Sequence, residues 1–208
     1  MLHRLTVFGY AFLAAVGTQP AHAQIEASAR VEAHAAVHIT NNASVPSRAL
    51  DAALTRAAEV FRRIGVRLRW LDRLPSPSEP PPAPYLIVLL SADAVKANAA
   101  RHEIPDAVIG QAIPPARRAY IYYQRVRTMS LKRERDVSVT LGYAIAHELG
   151  HLMLPPNSHS QGGIMRESFD FSPTLVTFTP SEKKIIRARL FAEQPASPND
   201  PVEEVLRR

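Results

Sequence analysis

The sequence predicts a single α+β domain, with five strands and three helices in a chain of 208 residues. Three observations predict it. Short runs that are apolar throughout, or that alternate apolar with polar, recur five times, which is the pattern of strands. Three longer stretches repeat apolar residues at helical spacing. Finally, 46% hydrophobic against 21% charged residues is the balance of a soluble globular chain, and the length suits one core.

Taken in order, residues 33–40 (AHAAVHIT) are small or β-branched and end at the turn-prone Asn41 and Asn42, so they read as the first strand. Pro46 and Ser47 then start a helix. Leu50, Leu54, Ala57, Ala58, Phe61 and Ile64 recur on one face until Gly65 ends the run. Val66 to Leu71 alternates strictly and predicts a half-buried strand. Residues 75–84 hold six prolines in ten positions and predict an extended connection, not helix or central strand. Tyr85 to Leu90 is apolar without interruption, as in a strand covered on both faces. Val108 to Ile113 and Ala119 to Gln124 read as two more strands, joined by a turn at Pro114 and Pro115. Asp136 or Ser138 caps the next helix, whose apolar face is Leu141, Ile145, Leu149 and Leu152, and Pro155 ends it. Thr179, Pro180, Ser181 and Glu182 start the last helix, with Ile185, Ile186, Leu190 and Phe191 on its face.

The first 23 residues read as a signal peptide: Arg4, an apolar run from Leu5 to Val16, then the small-x-small site Ala21-His22-Ala23. That run is too short to span a bilayer, so no stable membrane insertion is expected. The expected layout is therefore a domain over 24–194 in an exported protein, secreted or periplasmic, followed by a loosely ordered, proline-punctuated tail over 195–208. The chain has no cysteine, which excludes disulfides and thiolate metal sites; any metal must be held by His, Asp or Glu. Without the signal the formal charge is +5, from 24 basic and 19 acidic residues. The basic residues are scattered instead of forming a stripe interleaved with aromatics, so no nucleic-acid partner is expected.

The chemistry concentrates in residues 147–159, HELGHLMLPPNSH. Four residues apart on a helix, His147 and His151 share one face and can direct two imidazole nitrogens at one ion, half of a tetrahedral zinc site. Glu148 is rotated about 100° from His147 and reaches beside the metal. There it is placed to take a proton from a metal-bound water, as a general base in hydrolysis without a covalent intermediate. His34 and His38 share the spacing but fall on a predicted strand, where four residues span about 13 Å, too far for one ion.

These residues resemble the metzincin metallopeptidases, whose pattern is HExxHxxGxxH followed by a methionine turn. His147, Glu148 and His151 match directly, and Gly163-Ile164-Met165 looks like the methionine turn, eighteen residues after His147 as in the matrixin branch. The resemblance implies a mixed, twisted sheet, one catalytic zinc ion, and a protein or peptide substrate along the edge strand. It makes Met165 a hydrophobic floor under the ligands. Val108 to Ile113, interrupted by Gly110, is the best edge candidate.

The family's glycine position holds Leu154 and the position of its third histidine holds Asn157; His159 comes two residues late. Leu154 disfavours a sharp reversal and Pro155 favours extended backbone, so a wider loop is needed. Two residues more before His159 are offset by two fewer between it and Met165. His159 is therefore the expected third ligand. The alternatives are a downstream carboxylate (Glu167, Asp170 or Glu182) as third ligand, or His159 as a solvent-exposed loop residue; for the function, the alternative is a secreted binding module that keeps the fold without turnover. No tyrosine follows Met165 where the astacin and serralysin branches place one.

Overall fold

A computed structural model describes residues 32–76, 82–102, 105, 107–168 and 176–194. The expected signal segment, the tail over 195–208 and Asp170 lie outside the described residues. All described residues belong to the one compact unit that begins at Glu32.

The sheet grows around its first strand, β1 (Ala33–Asn41), where Ala33, Ala35 and Val37 are buried and alternate with more exposed residues. β1 pairs in parallel with β2 (Val66–Leu71) on one side and β3 (Tyr85–Leu90) on the other. β3 pairs in parallel with β5 (Arg118–Tyr122), and β5 pairs antiparallel with β4 (Gly110–Ile113). The order is β2-β1-β3-β5-β4, so the sheet is mixed and, among the described residues, β4 is an edge. A parallel pair needs a crossover. Helix α1 (Ser47–Arg62) provides it between β1 and β2. β3 buries Tyr85, Ile87, Val88 and Leu89, so both its faces are covered, as its unbroken apolar run requires.

Two helices are additional to the three expected. α2 (Ala92–His102) follows β3, and α3 (Tyr123–Lys132) follows β5 at once. The fifth strand therefore stops at Tyr122 instead of reaching Gln124, because Tyr123 already turns into α3. The fourth strand is likewise shorter than Val108 to Ile113: the amide of Val108 donates to Pro105 O in a turn, and the strand itself begins at Gly110. Pro114–Ala116 forms one 3-10 turn between the two strands.

α4 (Val137–Met153) is the core's central helix, with fourteen of its seventeen residues buried. A helix covered nearly all round must be apolar or small nearly all round, and Leu141, Gly142, Ala144, Ile145, Ala146 and Leu149 meet that demand. Of the two expected caps it uses Asp136, whose carboxylate accepts from the Ser138 amide at 2.7 Å. It ends at Leu154, whose φ of −98° and ψ of 164° are extended, as a residue before proline should be. α5 (Pro180–Glu193) opens with a full capping box: the Thr179 amide donates to Glu182 Oε2 at 2.7 Å, and Glu182 N to Thr179 Oγ1. Among the described residues no helix is long and apolar enough to cross a membrane.

Candidate metal centre

α4 delivers its two histidines to one face one turn apart. His147 Nε2 and His151 Nε2 lie 2.9 Å from each other, and His159 Nε2 approaches His151 Nε2 to 3.1 Å. Ligand atoms of all three fall within 4.8 Å of one another, and among the described residues they are the one such cluster. His34 and His38 stay apart on β1, where His38 Nδ1 meets the carbonyl of Leu71 at 3.0 Å.

His159 arrives there by the route the loop chemistry requires. Leu154 and Pro155 carry the chain away extended, and the reversal comes at Asn157, whose φ of +58° lies in the left-handed region. Asparagine tolerates that region better than other side-chain-bearing residues. The turn is thus delayed from Leu154 to Asn157, and the histidine after it is delayed accordingly. Of the competing carboxylates, Glu182 is spent on the α5 cap, and Glu167 borders the same cleft without joining the cluster.

The protonation states suit a cation. The Nδ1–H of His147 donates to the carbonyl oxygen of Ile164 at 2.8 Å, which leaves the Nε2 lone pair turned toward the other rings. Burial, with the neighbouring imidazoles adding to it, holds His147 down to about 3, and burial with His159 beside it holds His151 down to about 4. His147 and His151 are thus neutral through physiological pH, the state in which an imidazole nitrogen can ligate a cation. Tetrahedral ligands at about 2.0–2.1 Å from zinc are roughly 3.3 Å apart; the two close nitrogen pairs, at 2.9 and 3.1 Å, approach that spacing. Glu148 points the same way. It is 4% exposed, its Oε2 has no hydrogen-bond partner, and burial pushes its carboxyl up to about 8. A cation alongside supplies the charge that lets it ionise. Soft thiolates being absent from the chain, three imidazoles fit zinc.

Met165 is fully buried and packs beneath α4. A Cβ placed on Gly150 would lie 2.5 Å from Met165 Sδ and 2.9 Å from Phe178 Cε1, so the methionine reaches the helix backbone only because residue 150 has no side chain. The turn that carries Met165 is tied off by Ser160 N to Met165 O at 3.0 Å and by Ile164 N to Thr177 O at 2.9 Å.

A cleft of about 800 Å³ runs past the histidines, with β4 on one side and Pro155 to Asn157 on the other; Glu167 and Arg189 border it as well. Tyr122 N donates to Ile109 O at 2.9 Å, which makes 109 and 122 a hydrogen-bonded pair of the β4–β5 ladder. By alternation, Gly110 and Ala112 sit at non-hydrogen-bonded positions opposite Ile121 and Ala119. Their amides and carbonyls therefore point outward from the sheet's edge.

Two contributors escaped the sequence reading, the Ile164 carbonyl and Gly150, while Gly110 was marked there only as an interruption of the edge strand. A backbone acceptor leaves no mark in the sequence. Gly150 did carry one, since glycine inside a helix is costly and asks for a packing reason.

No protein-family model matches the chain, and no curated protein matches it either. Among solved structures it is similar to archaemetzincin from Methanopyrus kandleri, with 16% identity and a TM-score of 0.44 over 76% of this chain and 96% of that one. It is also similar to a zinc-dependent peptidase from Methanocorpusculum labreanum (strain Z), with 14% identity and a TM-score of 0.41 over 74% and 99%. Likenesses this distant carry no functional weight, and the chemistry of this chain's own site has to bear it.

Proposed function

We propose that this protein is a zinc metalloendopeptidase of metzincin type that hydrolyses peptide bonds in an extended substrate. The observation that carries the reading is the convergence of His147, His151 and His159 Nε2 beside the buried, unpartnered carboxylate of Glu148. The three histidines would hold zinc, which supplies a Lewis acid for the scissile carbonyl and makes a water acidic enough to attack near neutral pH. Glu148 accepts the proton of the attacking water and returns it to the leaving amine, so the base ends as it began. His147 is fixed in tautomer and orientation by Ile164 O, and Met165 closes the floor beneath the rings. The outward amides and carbonyls of Gly110 and Ala112 take the substrate's main chain as an added strand. The signal-like sequence pattern of residues 1–23 supports reading the enzyme as exported.

The test joins metal content with a peptide-library digest of the purified protein. One zinc per chain and cleavage are expected, and Glu148→Gln should keep the zinc while abolishing hydrolysis. A zinc-loaded wild type that cleaves nothing would favour a binding module; a Glu148→Gln variant that still cleaves would remove Glu148 as the base.

A further inference from the structure

Gly110 is the first residue of β4, yet nothing in its backbone asks for glycine. Among the described glycines only Gly65 and Gly163 have positive φ, so Gly110 sits in a conformation any residue adopts. Glycine at such a position weakens a strand through its entropy and its lack of a side chain to pack. A compensating reason lies in the helix packed against it. A Cβ on Gly110 would stand 2.5 Å from Glu148 Oε1, 2.7 Å from its Cδ and 2.8 Å from its Cγ, all closer than real Cβ atoms come.

The carboxylate has little else to hold it. Glu148 Oε2 is buried and unpartnered, and no hydrogen bond is seen for the side chain among the described residues. Its place is set by packing, and the packing surface is the bare backbone of β4. We infer that Gly110 is a positioning residue for Glu148: its missing side chain opens the slot in which the carboxylate lies beside the three histidines. The inference rests on the reading of Glu148 as general base for its effect on catalysis, while the packing relation stands apart from that reading. The same residue presents its outward amide and carbonyl along the edge that the substrate would join. Glycine there brings the base and the substrate strand as close together as a polypeptide allows.

The test is a double-mutant cycle of Gly110→Ala and Glu148→Ala, read as the melting temperature of the metal-free protein. Gly110→Ala alone should lower the melting temperature, because the methyl group displaces a buried side chain. In the Glu148→Ala background the slot is vacated, and the same change should leave it level or raise it. An equal fall in both backgrounds would overturn the inference, since Gly110 would then serve the strand and not Glu148. In the zinc-loaded protein, Gly110→Ala should lower kcat roughly 100-fold, with KM and zinc affinity held, as expected of a misplaced base. Unchanged kcat, or lost zinc binding, would overturn the positioning role. If the wild type cleaves no peptide, the peptidase reading fails while the melting cycle still decides the packing relation.

Discussion

The Nδ1–H of His147 points at the carbonyl oxygen of Ile164, 2.8 Å away, and so binds the central helix to the turn that carries Met165. The two halves of the site are separated in sequence by the loop that brings in His159, yet this bond fixes them to each other. The loop can therefore vary in length without disturbing either half, provided its histidine returns to the same point.

His159→Ala should cost more zinc affinity than the roughly 10–100-fold typical of losing an outer-shell partner, and should remove hydrolysis. Glu167→Ala, which changes a cleft residue outside the cluster, should leave the metal bound. Competition with a chelator of known affinity measures both. The reverse ranking would move the third ligand to the carboxylate.

Gly150→Ala should destabilise the fold through Met165 and Phe178. Overpacking a tight core costs about 1–3 kcal/mol, against about 1 kcal/mol regained in helix propensity. A net loss in urea denaturation is expected. It should vanish in a Met165→Ala background, where the obstructing sulfur is gone; a loss that persists there would point to Phe178.

The C-terminal helix supplies a pH dependence. Burial disfavours the charged Glu193 carboxylate, but hydrogen bonds from Arg117 at 2.9 and 3.1 Å and from Arg189 at 3.0 Å outweigh that and hold it below the ordinary value of 4.5. Tyr85 OH donates to it as well, at 3.2 Å. A lowered folded-state value means stability that is fully present above pH 4.5 and lost as pH falls through the lowered value. Glu193→Gln should therefore flatten the acid limb of a stability–pH curve and leave the neutral limb parallel to wild type. Partial exposure screens the pairs, so the loss at neutral pH should be about 1 kcal/mol. An acid limb as steep as wild type would assign acid unfolding elsewhere.

Ala112→Pro should weaken peptide turnover at little expense in stability. The Ala112 amide points outward from the β4–β5 ladder, so proline removes no sheet hydrogen bond, only the donor offered to a substrate. Turnover and melting temperature measured together check this. Equal turnover would place the groove away from β4.

Much of the fold could be read directly because each legible element carried its own periodicity. Val66 to Leu71 alternates, Tyr85 to Leu90 is apolar throughout, and both strands have those bounds. α2 and α3 were missed for opposite reasons. Residues 92–102 (ADAVKANAARH) are mostly small and polar and show no apolar stripe. Residues 123–132 follow an aromatic run that reads as strand, and in α3 only Val126 and Ser130 are buried, so tertiary contacts decide where strand gives way to helix. In the site, the histidines and Glu148 were legible because metal chemistry fixes residue type and spacing. Gly110 was legible only as an interruption. Its reason is a contact with a residue 38 positions later, which no local pattern encodes.

The open edge of β4 has a second consequence, which concerns solubility. A row of unpaired amides and carbonyls that can receive a peptide can equally receive the edge of another copy, the usual route to strand-to-strand aggregation. Here the row is only four residues long, and Pro114 and Pro115 follow it immediately, with no amide hydrogen to continue a ladder. An edge that short, if it takes a peptide as proposed, does so with a cleft beside it, but offers a second sheet few bonds. The prolines that turn the chain toward β5 are also of the kind that blunts an edge against strand-to-strand pairing.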